Sequence, residues 1–204
     1  MRDETIASFL TRLAARSAAP GGGATAALHA AQAAALLAMV ARYSDGPRHD
    51  GEVVGRVRAA ADGLADEALD LAEADEAAFE KVAIAYRLPR DTPEQRAARS
   101  EAIAEALAGA ARPPADLMAA AVRLAGLAED LLSAANRNVI SDIAAAAAAI
   151  SAAAVTARVN IEANLGGIKD QALAAELTQI AGLADSVTDR ADRLVAAVRE
   201  EISR

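Results

Sequence analysis

Apolar residues recur at three- and four-residue intervals along almost the whole chain, and no stretch alternates with a period of two. That spacing predicts helices and no sheet. The first helix is predicted over residues 5–17, with Ile6, Phe9, Leu10 and Leu13 on one face. The second follows Gly23 and ends near Ser44, where Asp45-Gly46-Pro47 makes a turn. The third is long, from about Asp50 to Tyr86, with Val53, Val57, Leu64, Leu71 and Phe79 on its apolar face. After a loop, Thr92-Pro93 reads as an N-cap followed by proline at the first helical position. The fourth helix runs to about Ala111, and Pro113-Pro114 breaks or kinks the chain before the fifth, which ends near Ala134. Asn136-Arg137-Asn138 is a polar loop, and Ser141 or Asp142 can cap the sixth helix, which runs to about Asn164. Gly166-Gly167 turns into a seventh helix that begins at Asp170 and carries a mixed charged face. The expected fold is all-α: a single-domain helical bundle of about seven helices over residues 1–204.

Composition narrows the partners. The chain is 54% hydrophobic but only 2% aromatic, and most of the apolar positions are alanine. Such helices approach closely but bury little surface alone, which predicts a homodimer. The net charge of −8 argues against nucleic acid, whose phosphates need a basic field. There is no cysteine, and His29 and His49 form no ligand pair, so no metal site is signalled. Met1-Arg2-Asp3-Glu4 lacks the basic start and apolar core of a signal peptide. Residues 18–41 and 143–157 carry no Asp, Glu, Lys or Arg. The first contains glycines, a proline, His29 and Gln32, and the second is shorter than the roughly 20 residues a membrane span needs. Both are read as buried helices of a soluble cytoplasmic protein without a membrane partner.

Few residues suggest chemistry. Pro20-Gly21-Gly22-Gly23 sits directly before a long helix, where glycines allow either a close-packed start or a cradle of amides for an anion or ligand. Asn160 and Asn164 share a face beside Arg158, and can serve either helix packing or ligand contact. Ser141-Asp142 is most simply a cap with a first-turn acid, and Asp75, four residues before Phe79, is one acid among Glu73 and Glu76. Tyr86 reads first as part of a helix terminus.

Six segments in order resemble one family: Glu4-Thr5-Ile6-Ala7-Ser8-Phe9-Leu10; Pro20-Gly21-Gly22-Gly23-Ala24; Asp75-Glu76-Ala77-Ala78-Phe79; Ala85-Tyr86-Arg87-Leu88-Pro89; Asn136-Arg137-Asn138-Val139-Ile140-Ser141-Asp142; and Asn160-Ile161-Glu162-Ala163-Asn164-Leu165. Each is weak alone, but together they cover nearly the whole chain and resemble the formimidoyltetrahydrofolate cyclodeaminase and methenyltetrahydrofolate cyclohydrolase family. The resemblance implies a dimeric helical enzyme that acts on a tetrahydrofolate derivative and needs no further cofactor. It implies either hydrolytic opening of the methenyl bridge or ring closure with loss of ammonia. The hydrolase comes first because these 204 residues hold no fused formiminotransferase domain. A separate transferase would make the deaminase possible, and a divergent non-catalytic folate-binding or structural dimer is the further alternative. Asp142 is the first acid/base candidate and Asp75 the second. Gly21, Gly22, Gly23, Arg48, Tyr86, Asn136, Asn138, Ser141, Arg158, Asn160 and Asn164 are the candidate substrate contacts. The site is expected where the glycine turn, the 136–142 loop and the end of the sixth helix converge, at or near the dimer interface. The chain departs from the family after the second helix, where several lysines are replaced by Tyr43-Ser44-Asp45-Gly46-Pro47-Arg48-His49-Asp50. With only Arg42, Arg48, His49 and Arg56 there, weak discrimination by folate tail length is expected.

Overall fold

A computed structural model describes residues 2–46 and 49–204. Among them are seven α-helices and no strand: α1 (Ile6–Leu13), α2 (Gly22–Tyr43), α3 (Gly51–Tyr86), α4 (Pro93–Ala110), α5 (Arg112–Ala134), α6 (Ser141–Leu165) and α7 (Gln171–Ser203). A single 3-10 turn, Arg137–Val139, joins α5 to α6.

Local chemistry sets most of the boundaries. The Asp50 carboxylate accepts from the amides of Glu52 and Val53 and opens α3. Thr92 and Gln95 form a reciprocal capping box before α4, with Pro93 at its first position. Asp170 caps α7 in the same way as Asp50 caps α3. The expected cap on α6 is absent: its N-cap is Ile140, and neither Ser141 nor Asp142 bonds the first amides. The first helix is also shorter than expected, because the chain turns from Ala14 through Pro20.

Four helices lie side by side in the order α3, α2, α6, α7, and α5 packs across one face of that layer, touching all four. The core is built from small side chains: Ala26, Ala30, Ala34, Ala121, Ala125, Ala146 and Ala153 are fully buried. Leu37, Leu124, Leu131, Ile143 and Ile150 supply most of its bulk. Alanine lets neighbouring helix backbones come close, so this core gains much of its stability from backbone-level van der Waals contact. α4 folds back on the C-terminal third of α3 through Val82, Leu107 and Ala110.

The predicted apolar faces of α1 and α3 are only partly covered. Phe9 is buried, but Ile6 and Leu10 are exposed, and Phe79 is 45% exposed where it was expected in the core. α2 and α6 are both long and apolar enough to cross a membrane by length and composition. In α2, 61% of the apolar window is buried within the protein, against 39% in α6, so α6 keeps an open apolar face.

Candidate active site

The start of α2, the middle of α3, the end of α4 and the end of α6 meet around a cavity of about 230 Å³. Its walls include Gly21, Gly22, Gly23, Asp75, Phe79, Asn160 and Asn164. Larger surface grooves run along α3–α4 and α3–α5. They are lined mainly by small apolar side chains, and the charged residues on the α3–α5 groove, Glu67, Arg123 and Asp130, are taken up in surface ion pairs.

The glycine turn explains how a carboxylate comes to sit here. α2 begins without a side-chain cap of its own. Its Ala24 amide donates instead to the Asp75 carboxylate from α3. The fit depends on Gly23, because a Cβ there would overlap the Asp75 carboxyl group. Gly22 is under no such constraint: a Cβ would sit at ordinary contact distance, 3.7 Å from the Asn160 amide and 3.8 Å from the Thr156 methyl group.

Asp75 is the group with acid–base character. Burial pushes its pKa up, the Ala24 N–H pulls it back, and neighbouring Glu76 raises it further, to about 6. Glu76 accepts from Arg12 through one oxygen and leaves the other buried without a partner. Across the cavity, Asn164 Nδ2 donates to the Asn160 carbonyl at 2.8 Å and to the Ala110 carbonyl at 3.4 Å, tying α6 to the end of α4. Asn160 Nδ2 is buried with no hydrogen-bond partner. A buried donor of this kind costs free energy unless something accepts from it. The cavity thus offers a carboxyl group titrating near neutrality, an unsatisfied amide donor and the positive end of a helix.

Residues 5–182 match the formiminotransferase-cyclodeaminase sequence profile. The chain belongs to this family. It is 33% identical to a methenyltetrahydrofolate cyclohydrolase of Methylorubrum extorquens, over 98% of this chain and 99% of that one. It is also 33% identical to the formimidoyltransferase-cyclodeaminase of Rattus norvegicus, spanning 82% of this chain but about a third of that longer protein. Among solved structures, a formiminotetrahydrofolate cyclodeaminase of Thermotoga maritima superimposes with a TM-score of 0.85 at 26% identity, covering 98% of both chains.

Within the chain the candidate site residues form two clusters instead of one, with Tyr86 and Arg158 outside both. Gly21, Gly22, Gly23, Asp75, Asn160 and Asn164 line the cavity. Asn136, Asn138, Ser141 and Asp142 lie at the opposite end of the antiparallel α2–α6 pair. Asp142 and Asn160 are separated by about 27 Å along α6 at about 1.5 Å per residue. Asn136 holds that far corner together: its amide donates to Ser44 Oγ and its side chain donates to the Tyr43 carbonyl. Its Oδ1 accepts from the Asn138 amide. His49 Nδ1 lies 3.0 Å from the Ala134 carbonyl in the same corner.

Arg158 is not among the residues that line the cavity; it pairs at the surface with Glu162 at 2.9 Å and Asp185 at 2.7 Å. Tyr86 lies about 16 Å from Asp75 along α3. It is exposed, with the Arg99 guanidinium 5.6 Å from its ring centre. Arg48 lies outside the described residues. Of the nearby cations, Arg42 pairs with Asp62 and Arg56 with Asp130.

The reading from sequence missed Phe79 as a cavity wall and Glu76 as a charge that adds to the lift burial gives Asp75. The Asp75-Glu76-Ala77-Ala78-Phe79 segment contained both signals. A neighbouring carboxylate disfavours ionisation of Asp75, and Phe79 lies one turn beyond Asp75 on the same stripe.

Proposed function

We propose that this chain is a methenyltetrahydrofolate cyclohydrolase whose acid–base group is Asp75. The observation that carries this reading is a half-buried carboxyl group, lifted to about 6, held against the glycine turn beside an unsatisfied amide donor. The cyclohydrolase relative, matched over the full length of both chains, supports the same choice of reaction.

The substrate's bridging carbon is part of a cationic amidinium, which an anionic carboxylate stabilises. Asp75 in its ionised form takes a proton from water as the water oxygen bonds to that carbon. The C–N π electrons then move onto nitrogen and give a neutral tetrahedral adduct. Asp75, now protonated, returns the proton to N5 as the C–N5 bond breaks. The carbinol proton leaves to solvent, and the formyl group remains on N10. Asn160 Nδ2 is placed to donate to the oxygen of the adduct. Asp142, the other acid/base candidate, stands too far along α6 to reach the same carbon within one subunit.

The second reading is cyclodeaminase, favoured by the Thermotoga maritima neighbour. There, N10 attacks the formimidoyl carbon and the protonated Asp75 supplies the proton that departs with ammonia. A group titrating near 6 serves either direction. A separate transferase would then supply the substrate. Following methenyl absorbance with each folate separates the two. Loss of absorbance with the methenyl substrate identifies the hydrolase; a gain with the formimidoyl substrate, with ammonia release, identifies the deaminase. No turnover of either, with folate still bound, would point to a binding protein.

We also propose that the protein is a homodimer. The expected result is a species of twice the 20.7 kDa chain mass by light scattering at micromolar protein. A clean monomer would remove this claim.

A further inference from the structure

Asp75 stands in an acidic neighbourhood. Glu73, Glu76 and Glu80 share α3 with it and line a cleft between α3 and residues 17–19. The elements packed on Asp75 bring no balancing cation. α2 offers the Ala24 amide, α4 and α5 only apolar side chains, and α6 the amides of Asn160 and Asn164. Among the described residues that line the two cavities against Asp75, none is positively charged. Burial already favours the neutral form of Asp75, and the Glu76 carboxylate adds to that preference. A neutral acid cannot take a proton from water.

The compensating charge comes from α1. Arg12 Nη2 donates to Glu76 Oε2 at 2.5 Å, and Arg12 Nη1 donates to Glu4 Oε1 at 3.0 Å. Glu4 and Glu76 are only 17% and 21% exposed, so salt screens these contacts less than it screens an open surface pair. The other Glu76 oxygen, Oε1, is buried without a partner. Among the described residues, Arg12 is therefore what holds the Glu76 carboxylate. The helix that carries it contributes little to the core: Phe9 is buried, but Ile6 and Leu10 are exposed. α1 delivers a guanidinium to the acid that adjoins Asp75.

We propose that Arg12 is a positioning residue of the acid–base site: it offsets the charge of Glu76 and so keeps Asp75 able to ionise at neutral pH. The inference rests on the acid–base reading of Asp75 and not on which folate is turned over. Arg12 does not line the cavity and acts through Glu76. An arginine stays charged throughout the working range, so this balance does not itself titrate. Glu4 grips the other side of the guanidinium and fixes its direction. With both acids ionised, Glu4, Arg12 and Glu76 carry one net negative charge, and without the arginine they would carry two. The extra charge would push Asp75 upward from about 6 and leave less of it ionised where the enzyme works.

The test reads Asp75 directly, by NMR titration of protein whose aspartates are labelled at the carboxyl carbon. No substrate is present, and the Asp75 signal is assigned by its absence from Asp75→Asn. Wild type should titrate near 6. Arg12→Gln should titrate higher by about half a pH unit or more, and Arg12→Lys, which keeps the charge, close to wild type. Glu76→Gln should titrate below wild type, and adding Arg12→Gln to it should not lift Asp75 above wild type. Turnover should follow: Arg12→Gln keeps its plateau kcat but falls roughly two- to fivefold below wild type at pH 6.

A merely structural Arg12 predicts otherwise. Arg12→Gln that melts lower while Asp75 titrates as in wild type would make the arginine a plain clamp between α1 and α3 and overturn the proposal. Asp75 lifted above wild type by Arg12→Gln in the Glu76→Gln background would overturn it too, because the effect would not pass through Glu76. Should Arg12→Gln fail to fold, Glu76→Gln and Arg12→Lys carry the test. An unmoved Asp75 in the first, or a displaced one in the second, is then fatal. Titrations that move as expected in a protein that turns over neither folate would support the role of Arg12 and remove only the folate reading.

Discussion

Asp75→Asn keeps the fold and loses turnover by roughly 10²- to 10⁴-fold, the range that general acid–base groups contribute. Asparagine retains the shape and still accepts from the Ala24 amide, but it cannot carry a proton. The loss should therefore appear in kcat, with KM changed little. The wild-type pH profile supplies a second readout. A base with a pKa of about 6 is active when ionised, so hydrolase activity should rise through pH 6 and level off above it. That limb should be absent from the residual activity of the variant. Near-normal turnover in Asp75→Asn would remove Asp75 from the mechanism.

The same raised pKa has an opposite consequence for stability. Folding lifts the Asp75 carboxyl from 3.8 to about 6, so the folded chain binds the proton more tightly than the unfolded one. Its contribution to stability is therefore fully present below pH 3.8 and is lost as pH rises to about 6. Above that, the protein holds a partly desolvated charge at a cost of about 1–2 kcal/mol, after discounting for the solvent that still reaches the group. Asp75→Asn should accordingly melt higher than wild type at pH 7.5, and the gap should close towards pH 4. A variant that is more stable and nearly inactive would mark Asp75 as a residue kept for chemistry.

Sequence periodicity was enough to find the helices, because alanine-rich segments with caps at Asp50, Thr92 and Asp170 leave little choice of local structure. The family resemblance placed the glycine turn, Asp75, Asn160 and Asn164 in one candidate set, and the fold brings those together. It could not separate them from Asn136, Asn138, Ser141 and Asp142. Helices of more than 20 residues carry both groups, and motif order along a chain says nothing about which ends of two antiparallel helices meet. The order of Asp142 and Asp75 as acid/base candidates was equally illegible in the sequence. Burial against a neighbouring backbone is what lifts a carboxyl pKa, and that depends on the α2–α3 approach, which local spacing does not encode. Phe79 and Ile6 fit apolar helical stripes and still reach the surface, because the stripe gives a direction but not what stands opposite.

Gly23→Ala should abolish activity about as thoroughly as Asp75→Asn while costing little stability. The added Cβ would overlap the Asp75 carboxyl group, so one of two things must move. If α2 shifts from α3, the tightly packed alanine interface is strained, at about 1–3 kcal/mol. If Asp75 instead rotates, it surrenders the Ala24 amide and its place in the cavity, and the site loses its proton carrier. Rotation of one partly exposed side chain is the smaller change. Replacing glycine by alanine within a helix also returns up to about 1 kcal/mol. The expected variant therefore unfolds within a few degrees of wild type but turns over substrate at least 100-fold more slowly. Combining it with Asp75→Asn should add almost nothing, because both act through one group. Gly22→Ala is the control: its Cβ meets only ordinary contacts at 3.7–3.8 Å, so the fold and kcat should survive. Normal kcat in Gly23→Ala would mean that the carboxyl group need not stand against the α2 amides, and the cavity would lose its claim to the chemistry.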